Sequence, residues 1–400
     1  MIKNFPKTTI VAPMLAASLI YCGCGQPSQP QATGTPAPQA TVAATATAAP
    51  TPEAAQEVAL TAFADDAIKA RAAELAKLHT DRGFPRDEVK GPENGPPLLY
   101  LALTAEGAVK LDALKQLEFA YTSANSSSKT QAKADKAYYD AILHFLNSSD
   151  ETEQFYALKS ADDCFGKEPD PGVKAKVLEM ATSHPKVGGR YAAFETLGNY
   201  GNRGKDNAAM DAYLKGFQDE APVAYMALFW TRALGSSERK DDIKAALVGL
   251  LDHKSEAVQG EAIFALGSNF GFSQGEIVLE KVPPYLKSES AFVRAKSLDA
   301  LARVRDAKVY ELLKPLLDDK AETKIKLPYT DLRGKEVKKQ ISTFGWGRVD
   351  GTALKALESV SRSVSRDNPF KLGKVDYKTQ ADDIAREVKL AKEWLAKNAK

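Results

Sequence analysis

The chain has 400 residues, 44% hydrophobic and 26% charged, a balance that excludes wholesale disorder. Its 54 Lys and Arg against 52 Asp and Glu leave a formal net charge of +2, so the chain as a whole carries no electrostatic footprint for nucleic acid. Only 3 Cys and 4 His are present, which argues against a disulfide scaffold or a zinc site built from several cysteines and histidines.

Lys3 and Lys7 open the chain with positive charge, and Ile10 to Tyr21 carries none. That run is too short for a bilayer, which needs about 20 apolar residues, but it has the length of an export-signal core. The stretch LIYCGCG that follows resembles the lipobox of bacterial lipoproteins, in which a Cys after the apolar core becomes the acylated first residue. Cys24 follows small Gly23 but has Tyr21 where the family has Leu. Cys22 has Leu19 at that place but follows bulky Tyr21. The fit of a small residue to the peptidase cleft favours Cys24 as the lipidation site, with Cys22 as runner-up and ordinary secretion as the alternative. Residues 1–23 then form the signal peptide. Lipidation at Cys24 leaves Cys164 as the one free thiol, so no intramolecular disulfide can form. The residue after either Cys is Gly, not the Asp that resembles an inner-membrane retention signal. The resemblance therefore implies a lipid-anchored protein of the bacterial cell envelope, on the outer membrane and facing the periplasm.

Residues 24–56 read as a disordered tether. From Gly25 to Gln56 there are 10 Ala, 6 Thr and 6 Pro, with one charge at Glu53, too little apolar surface to offset the entropy of ordering. From Glu57 onward the apolar period is helical. Residues 57–147 read as an N-terminal helical cap, with a helix over 57–79, the loop GFPRDEVKGPENGPP, and helices near 104–122 and 129–147. Capping boxes are expected at Ser148 with Glu151 and at Ser273 with Glu276.

Residues 148–365 read as a repeat array. Second helices end in small residues at Gly166, Gly198, Gly235, Gly267 and Ala302, spaced 32, 37, 32 and 35 residues apart. A regular interval of this size marks stacked helix pairs, each covering its neighbour's apolar face. The segments LVGLLDHKSEAVQGEAIFALG (247–267) and VPPYLKSESAFVRAKSLDALA (282–302) resemble HEAT and HEAT-like (PBS-lyase-type) repeats. In that pattern an apolar first helix leads through a short polar turn to Val, often Val-Arg, and then to Ala-Leu-Gly. Val258 and Val293 hold the Val place, Arg294 the Arg place, and Arg190 the same offset before Gly198. The expected fold class is all-α, an α-solenoid of stacked antiparallel helix pairs capped at both ends. Residues 366–400 supply the C-terminal cap, a helix near 378–397 with Ile384, Val388, Ala391 and Leu395 on one face.

A long insertion at 319–350 interrupts the last repeat. It holds 8 Lys and Arg against 5 Asp and Glu, with aromatic residues interleaved. Loops of this length inside compact arrays are functional or disordered. Two readings stand: a partner-binding flap, with a short hairpin using Ile325 and Leu327, or a loop packed on the solenoid. The partner-binding candidates are Tyr329, Arg333, Phe344, Trp346 and Arg348 from the insertion, with Arg190 and Arg294 from the repeats. Tyr191, Phe194, Tyr225, Phe229 and Trp230 fall on second helices, which line the concave side in HEAT-like arrays, although core packing is the default for such aromatics.

The search for chemistry is short. The glycines of GWGRVDG are too widely spaced for a dinucleotide fingerprint, GSNFG lacks a central Ser, and the histidines are scattered. No catalytic residue, metal site or cofactor is expected. The expected function is a membrane-anchored scaffold for an unidentified protein or peptide, with no nucleic-acid partner. The alternative is an enzyme of the bilin-lyase type or another chromophore- or ligand-handling protein, as some HEAT-like families are.

Overall fold

In this computed structural model the described residues are 65–122, 126–162, 169–232, 234–235, 237–343, 346–365 and 379–398. Cys22, Cys24, Cys164, Gly166 and Phe344 lie outside them. Helix α1 (Asp66–Leu78) leads into α2 (Gly95–Thr104) and α3 (Gly107–Ala120). Then come α4 (Lys136–Leu146), α5 (Glu151–Asp162), α6 (Pro171–Ser183), α7 (Val187–Leu197), α8 (Asn207–Gly216) and α9 (Ala221–Trp230). They continue as α10 (Lys240–Gly249), α11 (Glu256–Phe270), α12 (Gly275–Lys281), α13 (Ala291–Leu301), α14 (Val309–Leu313), α15 (Val349–Ser365) and α16 (Gln380–Asn398). Short 3-10 turns, Pro283–Lys287 and Lys314–Asp318, extend α12 and α14. Proline at the start of each turn supplies no N–H to the preceding helix, so the α-helical ladder ends there.

The helices pack as consecutive antiparallel pairs. The second members, α3, α5, α7, α9, α11, α13 and α15, each touch the next and form one row. The architecture is an all-α solenoid, as the repeat interval implies. Local chemistry starts many of the helices: Asp170 accepts from the amides of Gly172 and Val173, Asp206 from Ala209, and Ser290 from Val293.

The small residues expected to end second helices have a stronger reason than easy turning, and α11 runs past Gly267 to Phe270. A Cβ on Gly198 would sit 2.2 Å from the Trp230 ring, one on Gly235 2.2 Å from the Asn269 carbonyl, and one on Gly267 2.5 Å from Ala300. In each case the obstacle belongs to the next second helix. The glycines set the close approach of successive pairs, and their backbone is ordinary, Gly198 being right-handed at φ −57°. Asn269 reinforces the contact by accepting from the amides of Leu234 and Gly235 and donating to the Thr231 carbonyl.

Three local expectations need correction. Gly95–Thr104 is a helix, where the sequence reading has loop over 83–97 and no element again until about 104. Leu98, Leu99, Leu101, Ala102 and Leu103 are all buried, so no polar face exists to create a period. The cap of α5 is Asp150, whose carboxylate accepts from Thr152 and Glu153, while the Ser148 hydroxyl accepts from Asp150 itself. No box forms at Ser273, because α12 begins at Gly275 behind Gln274. At the C-terminal end α16 packs on α15, with Ile384, Ala391 and Leu395 buried, as its apolar face requires.

Leu266 is fully buried on α11 between neighbouring pairs. Leu266→Asp places an unpaired charge there and is expected to unfold several repeats together, with a destabilisation of at least about 4 kcal/mol. Loss of helical circular dichroism and of the thermal transition checks this. An unchanged melting temperature would show that Leu266 does not face the core.

Candidate functional site

The insertion folds as an antiparallel hairpin, β1 (Ile325–Thr330) and β2 (Glu336–Ile341), with Tyr329 opposite Val337 and Leu327 opposite Lys339. Period-two alternation accounts for it: Ile325, Leu327, Tyr329, Val337, Lys339 and Ile341 are buried or half-buried, and the residues between them are exposed or nearly so. The turn is closed by Asp331, whose carboxylate accepts from the amides of Arg333 and Lys335, and by Gly334 at φ +74°, a conformation that favours glycine. At the root, Thr323 and Thr343 share a buried hydrogen bond of 2.8 Å, and the amides of Thr323, Val349 and Asp350 donate to Gly347, Ala321 and Asp319.

Although its root is in the last pair, the hairpin lies against α9 and α7, three and four second helices earlier in the row. Tyr329 stacks on Tyr191, with ring centroids 4.2 Å apart and planes at 24°. The Lys339 ammonium donates to the Tyr191 hydroxyl over 2.6 Å, joining residues 148 positions apart. Gly188 at the start of α7 permits the approach, since a Cβ there would come 2.4 Å from the Thr330 carbonyl. At the tip, Arg333 lies 4.0 Å over the Phe155 ring of α5 and is held by two bonds to Asp331, 3.1 and 2.7 Å. Burial raises the hydroxyl pKa of both tyrosines, Tyr329 to about 12. Burial lowers that of Lys339; nearby Lys159 adds to this and Glu195 opposes it.

Between hairpin and helices a cleft of about 170 Å³ is lined by Phe155, Lys159, Tyr191, Glu195, Arg333 and Lys339, among others. Lys159 pairs with Glu195 and Arg333 with Asp331. Lys339 has the Tyr191 phenol, and among the described residues no carboxylate lies within ion-pair distance of it. The cleft therefore has one cation in excess and aromatic walls. Among the described residues no cluster of three His, Cys, Asp or Glu could hold a metal ion.

Further along the row a second polar cluster lies between pairs. Glu261, fully buried, accepts from Arg232 at 3.0 and 2.6 Å and from Lys296 at 2.7 Å. Burial alone would raise its pKa, and the two cations overcome that and hold it below the usual carboxylate range. Arg232 lies over the rings of Phe229 and Phe264 at 3.9 and 4.6 Å. Asp299, beside this network, has a buried Oδ2 without a hydrogen-bond partner. Burial pushes its carboxyl up to about 6, against the pull of Lys296, Arg303 and Lys355 and with a smaller push from Glu261.

The residues singled out in the sequence fall into two groups. Tyr329 and Arg333 meet the second helices at one place, together with Tyr191. Trp346, Arg348, Arg190 and Arg294 do not. Trp346 sits at the hairpin root with φ +55°, its ring 4.5 Å from the Lys355 ammonium and its carbonyl accepting from Gln380. Arg348 pairs with Asp350. Arg190 makes a two-pronged bond to Asp219 and donates to the His184 carbonyl, and Arg294 binds Asp319 and the Ser288 carbonyl. Both repeat arginines fasten a second helix to the turns beside it. Lys339, Gly188 and Phe155 were not anticipated. The one legible signal was the glycine pair of VGGRY at the opening of a helix.

Residues 243–327 match the HEAT repeats family. The stacked pairs on either side of these residues continue the same helix-pair architecture. Among solved structures, an engineered protein is 18% identical, covering 86% of this chain and 94% of its own, with a TM-score of 0.38. Kap121p bound to Pho4p is 12% identical over 87% of this chain, TM-score 0.42, and Kap121p bound to Ste12p is 13% identical over 85%, TM-score 0.43. This chain spans 34% and 35% of the length of those two Kap121p chains. No curated protein matches in sequence.

The raised carboxyl of Asp299 fixes a pH dependence. A folded-state pKa near 6 against an ordinary 3.8 means that the site's contribution is most favourable below about pH 4 and is lost as pH rises through 6. Asp299→Asn is expected to stabilise the fold at pH 8 by on the order of 2 kcal/mol, after allowance for partial exposure, and to leave it unchanged near pH 4. Urea titrations at the two pH values check this. Equal effects at both would contradict it.

Proposed function

We propose that this protein is an exported, lipid-anchored scaffold of the bacterial cell envelope whose HEAT-like solenoid holds a protein or peptide partner on its second-helix face. The observation that carries the reading is the docked hairpin: this face already grips extended polypeptide by an aromatic stack, a lysine–phenol hydrogen bond and a close backbone approach at Gly188. Such aromatic and Arg-rich surfaces dominate interface energies. The anchor rests on the LIYCGCG boundary, with Cys24 as the acylated residue and the outer membrane, facing the periplasm, as the location. The Ala/Thr/Pro-rich segment after it gives the solenoid reach from the membrane surface.

Two measurements test the two halves. Mass spectrometry of the mature N-terminus is expected to show an acylated Cys24, with maturation blocked by Cys24→Ser; a mature chain beginning at a residue other than Cys would contradict the anchor. For the scaffold, a photo-crosslinking amino acid at Phe229, half-buried on α9, is expected to capture a discrete partner in intact envelopes, and one at Glu179 on the first helix α6 is not. Equal capture from both positions, or none from Phe229, would contradict the assignment of the binding face.

A further inference from the structure

The hairpin has two edges, and they are not equivalent. The amide of Asp331 donates to the Lys335 carbonyl, so by the register Tyr329–Val337, Leu327–Lys339 and Ile325–Ile341 exchange the bonds of the ladder. The N–H and C=O groups of Lys326, Pro328 and Thr330 therefore point out from β1, and those of Glu336, Lys338 and Gln340 point out from β2. The edge of β1 is obstructed. Pro328 has no N–H, and the Thr330 carbonyl abuts Gly188 of α7. Among the described residues the outward backbone groups of β2 make no hydrogen bond, giving a regular row of three donors and three acceptors. Two strands alone fall short of a stable sheet.

Charge selects what the row accepts. From Glu322 to Ile341 there are six Lys and Arg against three Asp and Glu. Arg333 pairs with Asp331 and Lys338 with Glu336, whereas Lys324, Lys326, Lys335 and Lys339 have no carboxylate within ion-pair distance among the described residues. Lysines on an edge strand repel a second copy of the same strand, so self-pairing through β2 is disfavoured. On the outward face of the two strands Lys326 and Lys338 stand against the single acid Glu336, whose pair with Lys338 is exposed and 3.4 Å long, so that face attracts acidic side chains. We propose that β2 is a docking edge for an extended acidic segment of a partner protein, which adds as a third strand with apolar residues beside Val337 and Ile341 and acidic residues beside Lys338. This specifies the partner within the scaffold reading and rests on it: main-chain bonds along β2 supply affinity, and the alternate side chains supply selectivity.

The test uses the full chain and a fluorescein-labelled peptide about eight residues long, alternating glutamate and valine, a length that covers one strand. Fluorescence anisotropy is expected to show saturable, salt-sensitive binding, absent for the lysine–valine counterpart. Methylating the alternate peptide amides that face β2 leaves the protein untouched and is expected to weaken binding at least about tenfold. Lys338→Pro, which removes an N–H that the free protein does not use, is expected to weaken it similarly, and Lys338→Thr by a few-fold. Equal binding by the lysine–valine peptide, by the methylated peptide or by Lys338→Pro would overturn the proposal, as would no binding at all. So would dimerisation of the wild type, seen by ultracentrifugation and abolished by Lys338→Pro, which would make the occupant a second copy. Crosslinking from Phe229 in envelopes persisting in Lys338→Pro would separate failure of this edge from failure of the scaffold reading.

Discussion

Everything in this molecule depends on how closely one helix pair can approach the next. A pair of short helices cannot bury its own apolar side, so the solenoid exists only because each second helix lies flush on its successor. Gly198, Gly235 and Gly267 set that distance, since any side chain there would enter the Trp230 ring, the Asn269 carbonyl or Ala300. Polar links then fix the register of neighbours: Arg190 to Asp219, and Arg232 and Lys296 to Glu261. Glu261 would be costly to bury alone, and with two cations it ties three successive second helices or their ends together.

The row of second helices so produced is a platform, and the insertion uses it. A hairpin rooted in the last pair reaches back to α7, where the Tyr191–Tyr329 stack and the Lys339–Tyr191 hydrogen bond hold it. Its inner face is thereby satisfied while one backbone edge stays open. The repeat array thus presents a short strand edge, which is unusual in an all-α fold.

Much of this architecture was legible in the sequence, and the exceptions have physical causes. The ALG endings and the positions of Val258 and Val293 disclosed the pairs because close packing leaves a strict residue requirement. Gly95–Thr104 was illegible because a helix buried on most sides loses its period. The alternation of Ile325 and Leu327 disclosed a hairpin, but nothing local could show where it docks, since Lys339 finds Tyr191 across 148 residues. Arg190 and Arg294 looked like recognition residues because guanidinium groups serve both roles, and here they close turns between helices. Trp346 was selected for its size, while its place at φ +55° in the hairpin root reflects backbone geometry that composition does not encode.

The docking of the hairpin on α7 is the central claim, and a double-mutant cycle measures it directly. Unfolding free energies of Tyr191→Ala, Tyr329→Ala and the double variant are expected to show a favourable coupling of about 1 kcal/mol, as for other stacked aromatic pairs. Strictly additive effects would mean that the two rings do not meet in solution, and the hairpin would then have no seat on the second-helix face.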